Sequence, residues 1–174
     1  SKVKGELHGT KFSYAEKNDY VEATCPWGNR FRIHEPDEKL FGPIVLGLPY
    51  VRFDVPQGTA DGIARFYREV LGTQAHTGDD GEGRTAWVQV GSKQHLIFLE
   101  TDQKLPEYDQ HHIQVYISDF ETPYKKLGAL GLLSVDTLEH EYRFVDIIDL
   151  DTKKVLFQVE HEVRSMRHPL FGRP

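Results

Sequence analysis

An alternating stretch followed at once by an amphipathic helix occurs twice in this chain, and each copy runs on into three further short strands. No other feature restricts the fold as much. In the first copy, residues 50–55 set Val51, Phe53 and Val55 on one face and Tyr50, Arg52 and Asp54 on the other, the period of a half-buried strand. Ile63, Phe66, Tyr67 and Val70 then recur at helical spacing. Thr59 is the expected N-cap, Asp61 sits in the first turn where the helix dipole favours an anion, and Gly72 is placed to end the helix in a left-handed conformation. Burying each apolar side chain of that stripe stabilises by roughly 1.5–3 kcal/mol before entropy is counted. Strands are expected at 73–77, 85–90 and 95–100, separated by a polar turn at 78–84 and a tight turn at 91–93.

The second copy opens at 111–118, with Ile113, Val115 and Ile117 facing inward and His112, Gln114 and Tyr116 facing the other way. Its helix has Asp119 as a cap, Pro123 in the first turn, where proline is tolerated, and Phe120, Tyr124, Leu127 and Leu130 as the buried stripe. Strands at 133–138, 143–149 and 155–162 complete it. Two βαβββ units thus follow one another at a spacing of roughly 60 residues. Three strands at 11–16, 20–25 and 30–35 precede them and look like the back end of a third unit, with Phe31 and Ile33 directed to a core and Arg30, Arg32 and His34 away from it. The expected organisation is a partial unit at 1–45, a full unit at 46–101, a linker at 102–110, a second full unit at 111–162, and a basic tail at 163–174 lying along the surface or a partner. The fold class is α+β, with repeated βαβββ units forming curved mixed sheets around a cup and helices on the outer faces. Tyr50, Arg52, Asp54, His112, Gln114 and Tyr116 then line the cup.

Charged residues make up 28% and apolar residues 39%, a balance that excludes disorder, and no apolar run is long enough to cross a bilayer. A net charge of −6 argues against nucleic acid or a membrane as partner, since both select basic surfaces. With Cys25 as the sole cysteine and no signal peptide at the start, a cytoplasmic setting is expected. The unpaired half-unit predicts a homodimer or, because Ser1 is not an initiator methionine, a segment upstream.

The helix ending FYREVLG from Phe66, the opening HIQVYISD from His112 and the stretch CPWGNRFRIHEP from Cys25 together resemble the vicinal oxygen chelate superfamily of glyoxalases, extradiol dioxygenases, fosfomycin-modifying enzymes and bleomycin-binding proteins. The resemblance implies metal ligands on the first strand of a unit, usually histidine, and on the last, usually glutamate. His112 matches the histidine position, while its counterpart in the preceding unit is Tyr50. The glutamate position falls on Arg32, on Phe98 or a neighbour, and on Leu156 or Gln158, with Glu100 and Glu160 two residues further along. The implied metal set is therefore incomplete.

Two functions follow. In one, the cup binds a small organic molecule and its metal site is degenerate or absent, with Tyr50, Arg52, Asp54, Trp87, Gln114, Tyr116 and Gln158 as contacts. In the other, the chain is a metal-dependent lyase, dioxygenase or isomerase: a divalent metal is held partly by His112 and Glu160, and Glu100 and His112 move protons. Whether it is an enzyme, and whether the cofactor is a divalent metal or none, stays open at this point. Other residues read as structural. His111 and His112 are adjacent on a strand and so point to opposite faces. Glu160 and Glu162 share a face that His161 does not, as at a solvated strand end. Phe98 reads as core and Cys25 as a small turn residue.

Overall fold

The computed structural model describes residues 4–137 and 140–172, and the chain divides into two units, Ser1–Pro49 and Tyr50–Pro174. Leu138, Arg173 and Pro174, which the expected last elements include, lie outside the described residues.

The N-terminal unit contains helix α1 (Lys4–Leu7), an antiparallel sheet of β1 (Ser13–Glu16), β2 (Tyr20–Thr24) and β3 (Arg30–His34), and helix α2 (Glu38–Phe41). The strands fall where the alternation places them, but Phe31 and Ile33 do not reach a core, and the one partly buried residue of β3 is His34 on the opposite face. Phe31 and Ile33 are 47% and 57% exposed. His34 instead packs between Tyr20 and Phe41, with ring centroids 5.2 and 5.0 Å away, and the Arg32 guanidinium lies over the Tyr20 ring. The cause is the return of the chain: Asp37 caps α2 by accepting from Lys39 N and Leu40 N, and α2 brings Phe41 back onto the His34 face. Cys25 is buried in the turn that closes with Gly28 N donating to its carbonyl.

The second unit holds both full repeats. The first comprises β4 (Tyr50–Pro56), α3 (Ala60–Phe66) with a π-helical last turn (Tyr67–Leu71), β5 (Ala75–Asp79), β6 (Arg84–Gln89) and β7 (His95–Thr101). The second comprises β8 (His112–Ile117), α4 (Glu121–Leu130), β9 (Leu133–Thr137), β10 (Glu141–Ile148) and β11 (Val155–Ser165). The sheets run β4-β7-β6-β5 and β8-β11-β10-β9, with only the first and last strand of each repeat parallel. The class is α+β, as the pattern predicts.

Helix α3 starts without a side-chain bond from Thr59, whose hydroxyl donates to Pro56 O. The cap comes from afar: Glu100, at the end of β7, accepts from Ala60 N at 2.8 Å. Gly72 ends the helical segment at φ 71°, in the left-handed region where glycine carries no Cβ penalty. Between these ends α3 touches both sheets. Tyr67 meets Phe98 of β7 at 5.6 Å, whereas Phe66 meets Phe144 of β10 at 5.9 Å and Tyr67 meets His161 of β11 at 5.7 Å. Phe157 of β11 packs directly on Phe53 and Phe98. The apolar faces of both sheets are thus turned to α3, and their polar faces are turned away from it. Helix α4 packs Phe120 and Tyr124 on Tyr142, and Asp119 accepts from Thr122 N at its start. Among the described residues no helix is long and apolar enough to cross a membrane.

His161 does not belong to a solvated strand end. It is fully buried because β8 and β10 pair with β11 on both sides there. Its ring stacks on Phe144 at 4.2 Å, Nδ1–H donates to Val159 O at 2.8 Å, and Nε2 accepts the Tyr67 hydroxyl at 2.5 Å. Burial pushes the imidazole down to about 3 from an ordinary 6.5. The folded state therefore requires neutral His161 while the unfolded chain protonates it. Its contribution is complete above pH 6.5 and declines, at about 1.4 kcal/mol per pH unit, as the pH falls from 6.5 towards 3. Urea unfolding between pH 7 and 4.5 should show wild type losing stability more steeply, by one proton's worth of slope, than the Tyr67→Phe/His161→Leu double variant; parallel slopes would contradict this.

Candidate functional site

Strand register assembles the first polar face. Tyr50, Arg52 and Asp54 on β4 stand beside His95, Ile97 and Leu99 on β7. Trp87 and Gln89 of β6 lie opposite Ile97 and His95, and His76 of β5 lies opposite Trp87. His76 stacks on the Trp87 indole, centroids 5.2 Å apart and planes within 14°. Partial burial, then the neighbouring charges of His76 and Lys93, hold the His95 imidazole below its ordinary value. Arg52 Nη1 donates to Glu82, in the β5–β6 turn, at 2.7 Å. Tyr50, Arg52, Asp54 and Trp87 therefore share one face, as their alternation requires. His76 and His95 join them unforeseen; the signal was their position across the sheet, which only register supplies.

The second polar face carries an ion network. His112, Gln114 and Tyr116 on β8 stand beside Glu160, Glu162 and Arg164 on β11, and Arg143 and Glu141 of β10 lie opposite Glu162 and Arg164. Arg143 reaches three carboxylates: Glu141 at 3.0 Å, Glu160 at 3.3 Å and Glu162 at 2.6 Å. Arg164 bridges Glu141 at 2.9 Å and Glu162 at 2.5 Å, and its Nη1 donates to the Tyr116 hydroxyl at 3.5 Å. Burial pushes the Glu141 carboxyl up, but hydrogen bonds from Arg143 and Arg164 outweigh it and hold the group below its ordinary value. The tail folds back here, with Phe171 5.2 Å from the Tyr116 ring and His168 Nε2 3.8 Å from Glu141. Of the pair Glu160 and Glu162, the second is 5% exposed, so neither strand-end carboxylate is simply solvated.

Two expected site residues sit elsewhere. Glu100 lies on the helix-covered face, beside Val55 in register, and its carboxylate caps α3, so it does not carry protons in a cup. Gln158 lies beyond a β-bulge between Phe144 and Asp146 of β10 and donates to Asp146 at 2.8 Å. His111 stacks on Phe53, which places it opposite His112, as adjacency on a strand requires.

No protein-family model and no curated protein sequence matches the chain. Solved structures do. FosX, a fosfomycin resistance protein from Mesorhizobium loti, is 20% identical, with a TM-score of 0.48 over 70% of this chain and 92% of its own. Lactoylglutathione lyase from Agrobacterium tumefaciens is 17% identical, with a TM-score of 0.45 over 75% of this chain and 98% of its own. A candidate glyoxalase family protein from Bacillus anthracis is 16% identical, with a TM-score of 0.49 over 70% and 95%. What decides the fold is the repeated strand order, first-last-third-second, with a parallel first and last strand in both repeats. Both repeats thus have the βαβββ order on which the sequence resemblance to the vicinal oxygen chelate superfamily rests. Whether this chain has the superfamily's metal is a matter of donors. His112 and Glu160 are neighbours across β8 and β11, but Glu160 is bonded to Arg143, and among the described residues no three His, Cys, Asp or Glu side chains converge to hold an ion. The residues present do not fit a vicinal oxygen chelate metal centre, which needs at least three nitrogen or oxygen donors.

Proposed function

We propose that this protein binds a small organic molecule on the polar faces of its sheets and that no resident metal takes part. The observation that carries the proposal is Arg143, whose guanidinium lies among Glu141, Glu160 and Glu162 at 3.0, 3.3 and 2.6 Å. The positive charge that a metal would bring to Glu160 is supplied by the protein itself. A guanidinium so held has no vacant coordination position, so it cannot activate a bound water or chelate vicinal oxygens as a metal does. Binding falls to the Tyr50 face, where Arg52 offers a charged donor, Trp87 stacked on His76 offers a flat wall, and His95 a titratable nitrogen; Asp54 shares that face. Gln114 and Tyr116 contribute from the His112 face. Gln158, bonded to Asp146, is left out.

The same proposal includes a homodimer. What supports it is α3, which touches the apolar faces of both sheets and so turns their polar faces outward from it. An enclosed cup then forms when the Tyr50 face of one copy covers the His112 face of its partner in an isologous pair.

Two measurements test this. Protein equilibrated with Mn(II), Zn(II) or Ni(II) and then desalted should retain well under one ion per chain by elemental analysis; one ion per chain that disappears in His112→Ala would overturn the metal-free reading. Sedimentation at micromolar concentration should give twice the 20.0 kDa chain mass, and a monomer would refute the shared cup.

A further inference from the structure

Behind the polar faces, on the helix side of both sheets, lies a cavity of about 360 Å³. Its origin is a difference between the repeats. Both helical segments end on a left-handed glycine, Gly72 at φ 71° and Gly131 at φ 70°. Counting back five residues gives Tyr67 in one repeat and Lys126 in the other. Tyr67 fills its place, buried against Phe98 and His161. Lys126 cannot fill the equivalent space with an ammonium group, and its Nζ turns out to donate to Glu69 O at 2.5 Å. What remains is the cavity, walled by Val70, Val90, Val115 and Ile117 and lined by the π-helical turn, an irregularity common at functional sites. Val115 and Ile117 alternate with Tyr116 along β8, so their side chains point to the helix side and away from the polar face proposed above, although Tyr116 and Gln89 also border the cavity.

The polar groups at the cavity define what it can take. Nδ1–H of His161 is committed to Val159 O, so Nε2 is an acceptor and receives the Tyr67 proton. With its proton so committed, Tyr67 Oη can only accept from a third group. Lys126 and Asp119 both line the cavity, and their opposite charges leave it no net field with which to select an ion. We propose that the cavity binds an uncharged small molecule that lays an apolar face on Val70, Val90, Val115 and Ile117 and donates one hydrogen bond to Tyr67 Oη. A volume of about 360 Å³ is in the range of small-ligand sites, and the apolar side chains of Val70, Val90, Val115 and Ile117 share its wall with the polar groups of Thr73, Gln89 and Thr122.

The test uses indole, 1-methylindole and benzoate, titrated into the full chain labelled with ¹⁵N and followed by amide chemical shifts. Indole should give saturable shifts at Val70, Val90, Val115 and Ile117. Removing the N–H donor in 1-methylindole should weaken binding about fivefold, the effect of one hydrogen bond. Benzoate, of similar shape but charged, should bind at least tenfold more weakly than indole. Val115→Phe should abolish the indole shifts by filling the space, and the ligand-side comparison on wild type stands should that variant fail to fold. No saturable shift at these residues, shifts confined to the polar faces, equal affinity for indole and 1-methylindole, or benzoate binding as tightly as indole would each overturn the assignment.

Discussion

Helix α3 has apolar side chains wide enough around its axis to satisfy two sheets at once, and the rest of the second unit is arranged by that fact. An amphipathic helix in a single βαβββ unit needs only to cover its own sheet. Here Tyr67 meets Phe98 on one sheet and His161 on the other, and Phe66 meets Phe144. Each aromatic side chain so buried is worth several kcal/mol, about 3–5 when truncated to alanine, so the two repeats share one core. The helix is also capped from a distance, by Glu100 of the last strand of its repeat, which ties the start of α3 to the completion of the sheet.

The two repeats have the same strand order and opposite chemistry. On the first polar face the side chains are aromatic and basic: Trp87 on His76, with Arg52 and His95 near by. On the second they form a network of three carboxylates and two guanidiniums, closed over by the tail at Tyr116. Such a network contributes little net stability, because desolvating its charges offsets much of their attraction. It does fix geometry, and it leaves Glu160 neutralised by arginine. On the helix side the asymmetry is reversed, since Tyr67 packs where Lys126 leaves a cavity.

Periodicity made the fold legible. The alternation of Tyr50 to Val55 and of His112 to Ile117 fixed which residues go under helices, and Gly72 marked the end of the first helical segment. What periodicity could not convey was which face of a strand would be covered, or by what. Phe31 and Ile33 alternate properly yet face solvent, because Phe41, ten residues on from Phe31, packs on His34 on the opposite face. Glu160 and Glu162 share a face as expected, but their arginine partners come from β10 and from within β11, and only register across strands brings these together. Glu100 follows the same lesson: its position beside Val55 puts it on the helix face, where it caps α3. The site was illegible for one reason throughout, that convergence depends on pairing between strands distant in sequence.

Native-state hydrogen exchange tests the central claim, that α3 joins both sheets into one cooperative core. Amides of α3, of β6 and β7, and of β10 and β11 should exchange with a single free energy equal to that of global unfolding. Two distinct free energies, with α3 protected together with β6 and β7 while β10 and β11 open earlier, would contradict it.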